Sequence, residues 1–535
     1  MSTLAVERFD DFTGGINLRA DQFQLARNES PDMLNIEIDP RGGVFSRGGM
    51  REINTTAISG TWTPERLYTL TGATNTILLT TETKVYKSTG GNFTTLQYSA
   101  GNDVTSTSSH GACMAQWGDT MYIATGSAGV GGYKWKSTDT YATALTPSGT
   151  NPHDWQAYGS PVGGKMPTAE HLLVHANKMF ASNTTESSVY YPNRVRWSHE
   201  NLPEDWLESD YIDFDGGGTG VTGMAVFAGQ LLVFKPRAIY VVFGYDSTDF
   251  QVVELTSKLG ISSHHHMTTS EDGIYFYSHP YGVFFYNGTS IIEVSENIKA
   301  MYPLGYINDS LADSISVSYI NRRVWVAFPY SATGTPADKL TANFVLDTTF
   351  GRGSWVKHST GDGCGVIGGT DWISSSGEVR FLAIHPTLPR VLEVDMFDYE
   401  KDRISGAEVN FTSFYRTGWV DGKTYSMNKM WRRPDIIVKQ TDTLRTINVD
   451  VFHDYEESNA RKSFTYVSTA GYNLIWGESE WNNSGWFLPS TGSQLTRGAN
   501  LGLARSVQLL FTGPTGQYWG ISSIGYKYNP RRIKG

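Results

Sequence analysis

The sequence predicts an all-β chain: a β-propeller of six or seven blades, with an N-terminal arm and a C-terminal antiparallel β-sandwich. Three observations predict it. Short β-branched and aromatic runs recur between Gly, Pro and Asn turns, which is the signal of antiparallel meanders. The chain holds 56 Gly and 13% aromatic residues, a composition suited to tight turns. Successive meanders follow one another at a spacing of roughly 45–50 residues, the period expected of propeller blades.

At 535 residues the chain exceeds one ordinary core. The expected divisions are an arm over 1–60, a propeller with inserted loops over 61–400 and a sandwich over 401–535. In the arm, Asn28–Asn35 reads as a short helix with Pro31 near its start. Leu34–Ile38 reads as a strand overlapping its end, and Asp39–Gly49 as a Gly/Arg-rich turn. The first meander takes Leu67–Leu70, Thr76–Thr80 and Lys84–Lys87; the second takes Met114–Trp117, Met121–Ala124 and Tyr133–Lys136. Thr138 to Pro167 reads as a long polar surface loop. A third meander has His171–His175, Lys178–Ala181 and Arg194–Ser198, running into a turn at Pro203 and Trp206. Trp residues this close to turns are expected to fill gaps between blades.

Val221 to Ile298 has the clearest grammar. Leu231–Phe234 and Ala238–Phe243 form one pair, and Gly273–Tyr277, Val283–Tyr286 and Ser290–Val294 form the next meander. Further meanders follow at Ser314–Tyr319, Arg323–Pro329, Asn343–Asp347 and Gly353–His358, and at Gly363–Trp372, Val379–Ile384 and Val391–Asp395. A propeller must close by pairing early and late strands, and the segment that does so is not legible. From about Ala407 longer and more separate strands begin, such as Thr446–His453, Ser506–Thr512 and Trp519–Tyr528, which suggest a sandwich. Tyr526–Gly535 ends in a basic cluster that reads as a solvated terminus.

Charge and motifs exclude several classes. A formal net charge of -10 does not suit a phosphate grip on nucleic acid, which needs clustered Lys and Arg. Cys113 and Cys364 are far apart, so there is neither a disulfide framework nor a zinc spacing. No run approaches a signal peptide or a membrane span, so a cytoplasmic product is expected unless other machinery carries it out. His264, His265 and His266 are the most conspicuous cluster. Read as a strand, it puts only His264 and His266 on one face, with no third ligand nearby, so a blade-edge or subunit contact is favoured over a metal. Asp205, Glu208, Asp210, Asp213 and Asp215 read as a solvated Gly-rich turn. That run is also the candidate for a glycosidase carboxylate pair, or for a calcium ion outside EF-hand spacing. GGGTG lacks a P-loop Lys, and no G-x-S-x-G elbow or Cys–His pair of known context is present. No catalytic residue, cofactor or metal is assigned.

Several phrases resemble one family. FTGGIN, NESPDMLN and IDPRGGVFSRGGM resemble the opening of a tail protein of short-tailed bacteriophages. RVRWSHENLPEDW, at Arg194 to Trp206, resembles the blade phrase of phage tail nozzle and related portal-accessory propellers. GQLLVFKPRAIYVVFG, DGIYFYSHPYGVFFYNGTSIIEVSENI, EVNFTSFYRTGWVDG, MWRRPDIIV and LARSVQLLFTGP resemble later parts of the same nozzle (tail tubular protein B-like) proteins. Their order along the chain carries the resemblance.

What the resemblance implies is structural. It implies a virion tail protein assembled in the host cytoplasm, in a ring that is usually a homohexamer, below a head-to-tail adaptor ring and near tail fibres or tailspikes. Double-stranded DNA would pass transiently through the channel between copies, without sequence-specific binding, and acidic walls would keep it from sticking. Phe12, Gly14, Gly15, Arg41, Arg47, Arg531 and Arg532 are the candidate interface residues, and the gate residues are unknown. A glycan- or receptor-binding tail adhesin and a propeller glycosidase are the alternatives.

Overall fold

A computed structural model describes residues 4–530, except 22–23, 41, 128, 148–163, 246–248, 334, 352, 425, 440–444, 468–492 and 498. It is an all-β chain of many small sheets. Its helical segments among the described residues are short 3-10 turns, so none is long and apolar enough to cross a membrane.

Six four-stranded antiparallel meanders follow one another from Pro64 to His358. The first runs through Pro64–Leu70, Thr76–Thr81, Val85–Ser88 and Thr94–Thr95. The second spans Cys113–Trp117 to Thr143–Ala144, and the third Thr168–His175 to Leu202–Asp213. The fourth spans Gly223–Phe227 to Gln251–Thr256, and the fifth Met267–Thr269 to Ile291–Glu293. The sixth spans Ser316–Ile320 to Trp355–His358. A seventh sheet has Ile367–Ile373, Val379–Ile384 and Val391–Met396 in line; its fourth position is taken by Gly49–Glu52, from the other end of the chain.

Local chemistry sets these hairpins. Phe227 pairs with Gln230 across Ala228-Gly229, whose φ values are 51° and 74°. Ile320 pairs with Arg323 across Asn321-Arg322, at 50° and 58°. Two consecutive positive φ values make the mirror-image turn whose twist matches that of paired strands. Each sheet then shares a core with the next. Leu70 and Val85 pack with Met121 and Ile123, Leu172 and Met179 with Tyr122, and Phe180 with Leu231 and Tyr240. Leu232 and Phe234 pack with Ile274 and Phe276, and Tyr277 with Val317 and Trp325. Leu67, Ile77 and Leu79 of the first sheet share a core with Trp372, Leu382 and Ile384 of the seventh.

Two larger sheets complete the chain. An eight-stranded sheet centres on Gly520–Pro530, and a five-stranded one contains Thr446–His453 and Val507–Thr512. Trp431, Trp519, Ile524, Val449 and Phe511 from these two sheets lie in one shared core.

Several expectations need correction. Residues 1–60 do not form a separate arm. Ala5–Phe9 and Val44–Ser46 pair with Gly520–Pro530, and Met33–Leu34 pairs with Phe414–Arg416. Asn28–Asn35 is not helical: Glu29–Ser30 and Met33–Leu34 are short strands, and Asn35 sits at φ 55°, where a right-handed helix cannot continue. The Asp39–Gly49 turn contains the strand Val44–Ser46. Pro203 does not end its hairpin, because Leu202–Asp213 is an edge strand, where a missing N–H is tolerated. Tyr526 and Tyr528 are buried mid-sheet rather than in a solvated terminus.

Candidate functional site: a histidine turn between two cavities

The first strands of all seven small sheets meet around one cavity of about 390 Å³. Each contributes a wall residue: Arg66, Cys113, His171, Met224, Met267, Tyr319 and Thr370. A second cavity, also about 390 Å³, lies near the starts of the first strands of the first, second, fifth, sixth and seventh sheets, against Glu65, His110, His265, Asp313 and Lys339. The turn His264–His266 sits between the two: His264 lines the first and His265 the second.

That turn is a 3-10 segment rather than a strand. The Ser263 hydroxyl accepts the His265 backbone N–H and caps it. All three rings are buried, so they offer no subunit contact, and the sequence reading of one shared face for His264 and His266 does not apply. His265 Nε2 lies 2.6 Å from Glu65 Oε2 and 3.2 Å from the His110 carbonyl oxygen. His110 Nδ1 lies 3.3 Å from Ser263 Oγ. His171 stacks edge-on to His264, with ring centres 5.4 Å apart. Burial, then the neighbouring His265, holds His110 below its ordinary pKa. Burial, aided by other imidazoles, takes His171 and His266 down to about 3. These rings are therefore neutral near pH 7. Sequence reasoning missed Glu65 and His110 because both are remote from the His run; no local spacing signals them.

A second cluster joins Asp362, Cys364 and His385. His385 Nε2 lies 3.0 Å from Asp362 Oδ2, while the Leu388 N–H donates to Nδ1 at 3.0 Å. Burial opposes a charge on His385, while Asp362 and Cys364 favour one. Burial raises the Cys364 thiol, and His385 brings it back below its usual value. Cys364 is fully buried, so this Cys–His pair has no open face for a substrate.

The carboxylates from Asp205 to Asp213 lie on an edge strand, not in a solvated loop. Asp205 and Asp210 are buried, and Asp213 holds Arg194 through both oxygens at 2.8 and 2.9 Å. Glu208 on the same strand and Asp215 just beyond it are exposed. Trp206 is buried between the second and third sheets, from within a strand rather than beside a turn.

The candidate interface residues divide. Phe12 is buried against Tyr415, and Gly15 at φ 65° leaves only 2.5 Å between an added Cβ and the Trp355 carbonyl. Gly14 leaves 2.6 Å to the Glu29 side chain. Arg47 is buried on Asp402, with 2.8 Å contacts to both oxygens. Phe12, Gly15 and Arg47 therefore hold the chain to itself. Arg41, Arg531 and Arg532 lie outside the described residues.

No known family profile matches this sequence, and no curated protein matches it. Among solved structures, it is similar to a domain described as the extracellular part of a one component system of B. thetaiotaomicron, with 8% identity and a TM-score of 0.36. The alignment covers 71% of this chain and spans 43% of the length of that one.

Proposed function

We propose that this chain is a structural wall unit of a phage tail nozzle, and that its seven small sheets form one closed seven-bladed propeller. Gly49–Glu52 then supplies the last strand of the seventh blade. Support for closure comes from the shared core of the first and seventh sheets and from the cavity that all seven first strands line. Support for the wall role comes from the ordered phrases that resemble nozzle proteins. RVRWSHENLPEDW falls across the last hairpin of the third sheet, GQLLVFKPRAIYVVFG on the fourth, and DGIYFYSHPYGVFFYNGTSIIEVSENI on the fifth.

One observation carries the reading. The central cavity is only about 390 Å³, with the histidine turn across one end. A duplex has no path through a single copy. A channel would run between copies, lined by a chain of net charge -10 that repels phosphates. Closed rings of identical copies need heterologous contacts, and a stiff unit suits them.

Native mass spectrometry with the adaptor ring tests this. The expected result is a homohexamer of the 59.2 kDa chain. A monomer that persists with the adaptor present overturns the reading. Tight polysaccharide binding without turnover would support an adhesin instead, and release of reducing sugars a glycosidase.

A further inference from the structure

Two clusters of metal-ligating side chains occur among the described residues, and their hydrogen bonds separate them. In the Asp362–Cys364–His385 cluster, backbone N–H groups of Thr387 and Leu388 point at His385 Nδ1. That nitrogen is the acceptor, so Nε2 carries the proton and donates it to Asp362. A ring held in this tautomer presents no lone pair to an ion.

The other cluster is free of that constraint. We infer that Glu65, His110 and His265 form a site for one divalent transition-metal ion of the Zn²⁺ class, tying the first, second and fifth sheets together across the mouth of the central cavity. Glu65 lies on the first strand of the first sheet. His110 lies just before the first strand of the second sheet, and His265 just before that of the fifth. One ligand atom from each lies within 4.8 Å of the others. Ligands of a tetrahedral zinc, bonded at about 2.0–2.2 Å, stand roughly 3.3 Å apart, so modest side-chain adjustment closes the set. Two imidazoles and a carboxylate suit Zn²⁺, Co²⁺ or Fe²⁺ and not the all-oxygen preference of Ca²⁺ or Mg²⁺.

Two further observations point to a ligand. His265 Nδ1 and both ring nitrogens of His264 are buried without a hydrogen-bond partner. The His264 and His265 ring centres lie 3.9 Å apart, tilted by 40°, so this is a crowd of buried donors and acceptors with unmet demand. The supporting groups are also present. Ser263 Oγ touches His110 Nδ1 and holds the His265 backbone, which fixes both rings relative to each other. Glu65 Oε2 lies 2.6 Å from His265 Nε2, on the line that the ion would bridge. Three protein ligands leave a fourth position, and the cavity against Asp313 and Lys339 is where it opens.

The site stands whether or not the chain belongs to a nozzle, and its test is separate. The full chain, stripped with a chelator and dialysed, is titrated with Co²⁺ and Zn²⁺ by calorimetry and by visible absorption. The expected result is one ion per chain, with a Co²⁺ spectrum of low-coordinate character. Glu65→Gln and His110→Ala should each weaken binding by about 100-fold or more, as loss of a ligand or its direct support does. Both positions are partly exposed, so both variants should fold, with circular dichroism as the check. Cys364→Ser should leave stoichiometry and affinity unchanged. No uptake by the parent chain, uptake unaltered in Glu65→Gln and His110→Ala, or loss of uptake in Cys364→Ser would each overturn the assignment.

Discussion

In the sheet from Gly223 to Thr256, every strand pairs with its neighbour in sequence, and the two-residue turn Ala228-Gly229 sets the register of its first hairpin. In the eight-stranded sheet, Gly520–Pro530 is flanked by Ala5–Phe9, Val44–Ser46, Lys429–Trp431 and Asp435–Lys439. The first kind of sheet is fixed by short loops and local turn chemistry. The second gathers both ends of the chain, and its geometry depends on a few buried polar anchors. Those anchors sit at the seam. Arg47 reaches Asp402, Asn35, the Gly48 carbonyl and the Ser359 carbonyl, and it lies 3.8 Å from the Phe411 ring. The difference teaches that a repetitive body can be joined to an unlike partner by a few residues outside the repeat.

The largest expected effect tests that seam. Arg47→Ala leaves Asp402 charged and buried without its partner, which costs about 3–5 kcal/mol. Urea unfolding measures it, and a loss below about 1 kcal/mol would break the comparison. Next come the turns. Gly15→Ala puts a Cβ against the Trp355 backbone at positive φ, and the expected cost is about 1–3 kcal/mol. Gly229→Ala, in a hairpin whose nearest contact is the Tyr245 hydroxyl at 3.5 Å, should cost less, about 1 kcal/mol. Equal losses at the two sites would remove the distinction between seam and hairpin.

Buried imidazoles give the third effect. His171 lines the central cavity, His266 ends the buried histidine turn, and His358 at the seam bonds the Ile36 carbonyl. Burial brings all three down to about 3 from an ordinary 6.5. The folded chain keeps them neutral while the unfolded chain takes up protons below 6.5. Their contribution is therefore complete above pH 6.5 and declines as pH falls toward 3, by about 1.4 kcal/mol per pH unit for each. Urea midpoints at pH 6.5 and 5.5 measure the slope, and His358→Gln should flatten it by one such increment. An unchanged slope would mean that the seam is open to water. The smallest effect is at the surface. Arg322 and Glu271 are largely exposed, and Arg322→Ala should change stability by no more than about 0.5 kcal/mol in the same assay.

The meanders were legible because each turn carries its own chemistry: Ala228-Gly229, Gly118-Asp119 and Asn287-Gly288 sit where strands reverse. The later strands Thr446–His453 and Val507–Thr512 were legible from their β-branched and apolar runs. Gly49–Glu52 was not, because nothing near it signals that its partner lies at Val391–Met396. Leu202–Asp213 was hidden by Pro203, whose missing N–H matters only on a central strand. Arg47 read as a surface contact because Arg is rarely buried, and its partner Asp402 is distant in sequence. The histidine run was visible, but Glu65 and His110 join it only once the first strands converge.

Single-particle imaging of the assembled tail tests the wall-unit account most directly. The account predicts a closed ring of identical copies with a duplex-wide bore between them, and each copy's own sheet axis shut by the His264–His266 turn. A duplex-wide hole through one copy, or isolated copies out on peripheral fibres, would contradict it.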